Sequence, residues 1–167
     1  MTSKTENQIK NAGLVKVRDP ETENPIYRRP GFQGVTEFEE IDKKIGETLR
    51  LAREAHDLIR PELAPLLGIT PQVYGRYERG EGKLSVARLI HLSELLAFSP
   101  LDVLFAAAPH LWGGSEEEAE ARRKVMKYIE KLPFEKVKLM SEIAEAFAAL
   151  EPLDRPSEDA DSLGSKD

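Results

Sequence analysis

The stretch Leu63–Gly80, LAPLLGITPQVYGRYERG, constrains the fold more than any other part of the chain. An apolar set, Leu63, Ala64, Leu66, Leu67 and Ile69, surrounds Gly68. Thr70 follows, offering a side-chain oxygen to the unpaired N–H groups of a helix start, and Pro71 stands at the first helical position, where no backbone donor is needed. Tyr74 and Tyr77 come next, three residues apart, and Gly80 sits where a helix can end in the left-handed conformation. Helix, tight glycine turn and second helix make the pattern of a helix-turn-helix.

The rest of the chain bounds what can surround that motif. Its 167 residues suit one small domain with accessory segments, and 40% hydrophobic content supports a core. Cysteine is absent, which excludes a disulfide framework or a thiolate metal site. His56, His91 and His110 are scattered without ligand spacing, so no metal and no cofactor is expected. No Gly-rich phosphate loop, His-Glu-x-x-His or nucleophile elbow occurs, so no catalytic residue and no enzymatic activity are expected. The absence of a long apolar run, or of a signal-peptide core in MTSKTENQIKNAG, leads to the expectation of a soluble cytoplasmic protein with no membrane partner. Net charge is −6, but residues 41–105 balance to zero and residues 106–167 carry −5. The acidity therefore lies away from the helix-turn-helix, whose surface can still gather positive charge on one face.

Taken in order, residues 1–37 lack sustained periodicity and are broken by Pro20, Pro25 and Pro30, which predicts an extended or disordered arm with local order at Ile26-Tyr27. Arg28-Arg29 in it suits either an arm reaching DNA or a solvated tail. Phe38, Ile41, Ile45, Leu49 and Ala52 form one helix face, widened by Leu51. A second helix runs from Arg60-Pro61 to Leu67, started late or bent by Pro65. A third covers Pro71 to about Arg79. Ser85 caps a fourth, with Val86, Leu89, Ile90, Leu92, Leu95 and Leu96 facing in, and a short fifth presents Leu101, Leu104 and Phe105. The predicted domain is 38–108, followed by a linker at 109–115 from which Trp112 packs back. C-terminal helices span 116–150, opened by Ser115 and Glu116–Glu118. Residues 151–167 read as a disordered tail. The fold class is all-α: five helices around one core plus a C-terminal helical pair. That pair is too small to fold alone and is expected to dimerise or bind a partner.

Residues 41–105 resemble the lambda-repressor/Cro-like helix-turn-helix domain of the XRE-type regulators. The resemblance rests on the ordered spacing of Ile45, Leu49, Leu63-Ala64, Leu67-Gly68-Ile69-Thr70, Tyr74, Tyr77, Glu78, Gly80, Ser85 and the leucine-rich fourth helix. It implies that Tyr74 and Tyr77 point into the core and that the third helix enters the major groove by its N-terminal end. The base-contacting set is then Thr70, Pro71, Gln72, Val73 and Arg76. Gln72 suits adenine, Arg76 guanine and Val73 a thymine methyl group. Phosphate contacts fall to Arg60, standing where the family commonly has glutamine, and to Arg79 and Lys83. Glu78 is expected to be structural, since an acid at the DNA backbone would repel phosphate. Pro65 and Gly75 depart from the family pattern.

The resemblance implies a sequence-specific regulator of transcription. It would bind double-stranded DNA as a homodimer on an inverted repeat, associate with the nucleoid when bound, and act by occluding a promoter or by touching RNA polymerase. The alternative is a protein-interaction module, such as an antitoxin whose C-terminal helices bind a partner protein.

Overall fold

The structure, a computed structural model, describes residues 3–20 and 22–150. The expected tail 151–167 lies outside the described residues. The chain divides into two compact units, Met1–Lys124 and Val125–Asp167.

The first unit opens with helix α1, Ser3–Asn11, and strands β1, Val15–Val17, and β2, Ile26–Arg28. The strands pair antiparallel with Lys16 opposite Tyr27. The expectation of an extended or disordered arm over 1–37 is therefore corrected. Gly13, at φ +60°, closes α1, and the N–H of Leu14 returns to the carbonyl of Ile9. Three-residue strands are too short for alternation to stand out in a sequence. Local order at Ile26-Tyr27, as expected, takes the form of β2.

The five helices of the central domain follow: α2, Phe38–Glu54; α3, Arg60–Leu63; α4, Pro71–Glu78; α5, Val86–Leu96; and α6, Pro100–Ala107. Pro65 decides the shape of the second. Its ring cannot sit in an α-helical interior, so α3 gives way to a 3-10 turn over Ala64–Leu67. Gly68, at φ +66°, then turns the chain with its N–H on the carbonyls of Ala64 and Pro65. Ser85 caps α5 by accepting from the N–H of Arg88 at 3.2 Å.

Leu49, Leu63, Ala64, Leu67, Tyr74, Leu92 and Leu96 form the core, and α2 packs on both α4 and α6. Several expected inward residues face out instead: Val86 is 73% exposed, and Leu51, Ile90 and Leu104 are also exposed. At about 100° per residue, the six positions assigned to the buried face of α5 cover far more than one face. Leu92 and Leu96 take the core side, while Val86 and Ile90 share another. In α6, Val103 is buried where Leu104 was expected.

The segment expected as a linker, 109–115, is structured. It holds a 3-10 turn over Pro109–Leu111, and Trp112 stacks on Phe105 with ring centroids 4.2 Å apart. Helix α7, Glu116–Lys131, starts with the Ser115 hydroxyl accepting from the N–H of Glu118 at 3.2 Å, and the Glu118 carboxylate accepting from the N–H of Gly114 at 2.6 Å. The unit boundary falls inside α7. The second unit contains α8, Phe134–Ala149, none of whose residues is buried.

Candidate nucleic-acid interface

Helix α4 is the element on which the site is built. The Thr70 hydroxyl accepts from the N–H of Val73 at 3.3 Å, and Pro71 follows at the first position of the helix. Tyr74 is fully buried and Tyr77 half-buried. That anchoring turns Thr70, Gln72, Val73 and Arg76 to solvent, with Pro71 half-buried at the rim. These five residues, read from the sequence as base-contacting, thus share the N-terminal part and outer face of one short helix. The Arg76 guanidinium reaches the carbonyl of Glu81 at 3.4 Å, which ties it to the following loop.

Two close approaches hold α4 against α2. A Cβ on Gly46 would lie 2.5 Å from the carbonyl oxygens of Tyr77 and Glu78. A Cβ on Gly80, at φ +70°, would lie 2.6 Å from the backbone nitrogen of Lys43. Only glycine permits both contacts, so backbone meets backbone and the tilt of α4 has little freedom. A charged lock adds to them. The Glu78 carboxylate, 1% exposed, accepts from Arg53 Nε at 2.6 Å and from Arg60 Nε at 2.6 Å. Arg53 also donates to the carbonyl of Leu58. Glu78 is structural, as expected. Its buried partner Arg53 was missed, although it stands four residues after core Leu49 just as Glu78 stands four after core Tyr74. Beside this lock, burial pushes the ionisation of the Tyr74 hydroxyl well above its ordinary range.

The three residues read as phosphate contacts are brought to α4 unequally. Arg60 and Arg79 converge over Gly75: a Cβ there would lie 3.7 Å from Arg60 Cδ and 3.2 Å from Arg79 Nη1. The missing side chain at Gly75 therefore makes room for two guanidinium groups, a role its place in mid-helix did not suggest. Lys83 lies apart, its ammonium 3.3 Å from Asp42 on α2. It borders a cleft of about 410 Å³ shared with Arg18 and Asp19 after β1 and with Phe38. All three cations are already ion-paired. Arg79 is held in a fork by Glu81, at 2.8 and 2.7 Å, and the hydrogen bonds from Arg79 keep the Glu81 carboxyl below the usual carboxylate range.

Arg28, read as part of an arm that could reach DNA, is occupied within the fold. Its guanidinium lies 4.1 Å from the centre of the Phe38 ring and donates to the carbonyl of Thr36. Among the described residues, no group of three or more His, Asp or Glu side chains is placed to hold a metal ion, and no helix is long and apolar enough to cross a membrane.

A helix-turn-helix family model matches residues 49–104. A protein of Pyrococcus furiosus named as an HTH-type transcriptional regulatory protein is 33% identical over 123 residues, covering 71% of this chain and 36% of the relative. One of the same description from Pyrococcus horikoshii is 32% identical over 117 residues, covering 68% and 35%. The chain thus spans about a third of the length of these relatives. An uncharacterised HTH-type regulator of Sinorhizobium medicae is 33% identical over 75 residues, covering 45% of this chain and 53% of that one. Among solved structures, the restriction-modification controller protein C.AhdI from Aeromonas hydrophila aligns at TM-score 0.35 and 31% identity, over 36% of this chain and 92% of that one. The clp gene regulator ClgR from Corynebacterium glutamicum aligns at TM-score 0.38 and 26% identity, over 54% and 90%.

Proposed function

Because residues 49–104 form a helix-turn-helix domain of the lambda-repressor-like, XRE type, we propose that this chain is a sequence-specific transcription regulator whose α4 reads the major groove of double-stranded DNA. The observation that carries the reading is the outward display of Gln72, Val73 and Arg76 on a helix whose tilt is held by Gly46, Gly80 and the Glu78 ion pairs. Gln72 pairs with adenine N6 and N7, Arg76 with guanine O6 and N7, and Val73 meets a thymine methyl group. Thr70 and Pro71 complete the entering edge. Arg60 and Arg79, side by side over Gly75, with Lys83 at the far edge, grip phosphates and set the register. As a cytoplasmic homodimer the protein spans two half-sites of an inverted repeat about one helical turn apart and represses by occluding the promoter.

Selection of bound sequences from a random DNA pool, run in parallel with Arg76→Ala, tests this. The wild-type chain is expected to yield a two-fold symmetric site. The variant is expected to lose preference at one base pair per half-site, worth about 1–3 kcal/mol of discrimination. An unchanged site in the variant would remove Arg76 from base readout. A pool that shows no enrichment at all would remove the DNA-reading function.

A further inference from the structure

Helix α8 carries a broad apolar surface that stays exposed among the described residues. None of its residues is buried, and Phe134, Leu139, Met140, Ile143, Phe147 and Leu150 are all 40–76% exposed. Positions 136, 140, 143, 147 and 150 follow spacings of four and three, the seam of paired helices. Leu139 and Ala146 widen the seam on one side, Val137 and Ala144 on the other. The five large side chains on or beside the seam, Leu139, Met140, Ile143, Phe147 and Leu150, together expose on the order of 500 Å² of apolar surface, while Phe134 lies on the opposite face of the helix. With a polar rim, that supplies more than half of the ~800 Å² each partner contributes to a stable interface, and it stands at the upper end of the ~300–600 Å² that the largest apolar patch of a lone chain reaches, a size that often marks an interaction site. A 16-residue helix with no packed face is also marginal in water.

We propose that α8 pairs antiparallel with α8 of a second copy of this chain across a two-fold axis near Ile143. The proposal rests on the homodimer reading above and assigns its seam and direction. Charge sets the direction. Lys136 occupies the first seam position, so a parallel pair would stack it on the lysine of the second copy. An antiparallel pair instead places it beside the last turn of the other helix. That turn carries no basic residue, and its free carbonyls form the negative end of the helix. The same symmetry brings Ile143 against its own copy at the axis and sets Phe147 opposite Leu139, next to Met140.

The chain contains no cysteine, so single-cysteine variants of the full protein report the arrangement directly. Light scattering of the unmodified chain at micromolar concentration is expected to give a dimer. On oxidation, Ile143→Cys is expected to form a disulfide-linked dimer. Leu150→Cys is not, since an antiparallel pair separates the two ends by roughly 20 Å at 1.5 Å rise per residue. Phe147→Glu, a change at an exposed side chain, is expected to raise the dimer dissociation constant at least tenfold with helix content retained. A dimer in which both cysteine positions cross-link overturns the antiparallel direction and leaves the homodimer standing. A dimer that neither cysteine cross-links and Phe147→Glu does not weaken overturns the α8 seam alone. A monomer by light scattering overturns both and leaves the face to a different protein.

Discussion

Glu78 carries a carboxylate into the core because two guanidinium groups meet it there. The pairing with Arg53 is buried on both sides, whereas Arg60 is 41% exposed and its share is screened by water. Breaking a buried ion pair from one side leaves an uncompensated charge. Glu78→Gln is therefore expected to destabilise the chain by about 3 kcal/mol, read as a lower denaturant midpoint at unchanged slope. A loss below about 1 kcal/mol, the scale of a surface pair, would mean that Arg53 finds another partner or reaches water. Arg60 serves two ends at once. Its Nε holds Glu78, and its side chain lies with Arg79 across Gly75 on the face that would meet phosphate.

At the scale of elements, α4 is positioned by backbone contact and dressed by paired cations. Gly46→Ala places a methyl group inside van der Waals distance of two carbonyl oxygens, and α4 must move away from α2 to admit it. The expected result is a loss of about 1–3 kcal/mol, the usual range for overpacking, together with weaker operator binding. Equilibrium denaturation and fluorescence anisotropy on labelled operator read the two effects separately. The loop after α4 tells a different story. Glu81 holds Arg79 in a fork and stands where the DNA backbone would approach. In Glu81→Gln the fork is lost and one negative charge is removed. DNA affinity is expected to rise for all sequences alike, and the dependence of log affinity on log salt is expected to steepen by about one. Anisotropy titrations at three or more salt concentrations measure that slope. A flatter slope would show that Arg79 does not reach phosphate.

For the whole molecule, His110 is expected to give the first unit a dependence of stability on pH. Burial, then the positive charges of Arg29, Arg28 and Lys44, hold its imidazole below the ordinary value of 6.5. The unfolded chain therefore takes up a proton near that value while the folded chain still resists. Between the two midpoints the unfolded state binds more protons, so stability rises with pH. The contribution is complete above about pH 6.5 and is lost as the pH falls below it. The thermal midpoint is expected to fall between pH 7.5 and pH 5.5, and to fall less in His110→Gln. Scanning calorimetry of both proteins at both pH values makes the comparison, and an equal fall in the two would place the sensitivity elsewhere. The two compact units also divide the labour proposed above: DNA reading in the first, self-association through α8 in the second.

Much of this was legible in the residues themselves because the signals are local. Thr70 before Pro71, Ser85 before Val86, and Ser115 before three glutamates each mark a helix start within one turn of chain. The structure uses all three hydroxyls as caps. The outward set on α4 follows once Tyr74 and Tyr77 are turned inward, a phase that the family resemblance supplied and the spacing alone did not. Pro65 announced a disturbed second helix, and only the fold showed that a 3-10 turn absorbs it. Of the hairpin, only local order at Ile26-Tyr27 was readable, and the pairing of β1 with β2 was not, because three residues hold too little alternation. The sequence by itself therefore determined where α4, α5 and α7 begin, each by its capping hydroxyl. Tertiary structure alone decided that Arg53 meets Glu78 across 25 residues, that Gly46 and Gly80 let two helices touch, and that every phosphate-binding candidate already has an acid beside it. Caps and periodicity act between neighbours a turn apart, whereas these contacts join residues whose distance is set only when the whole core closes.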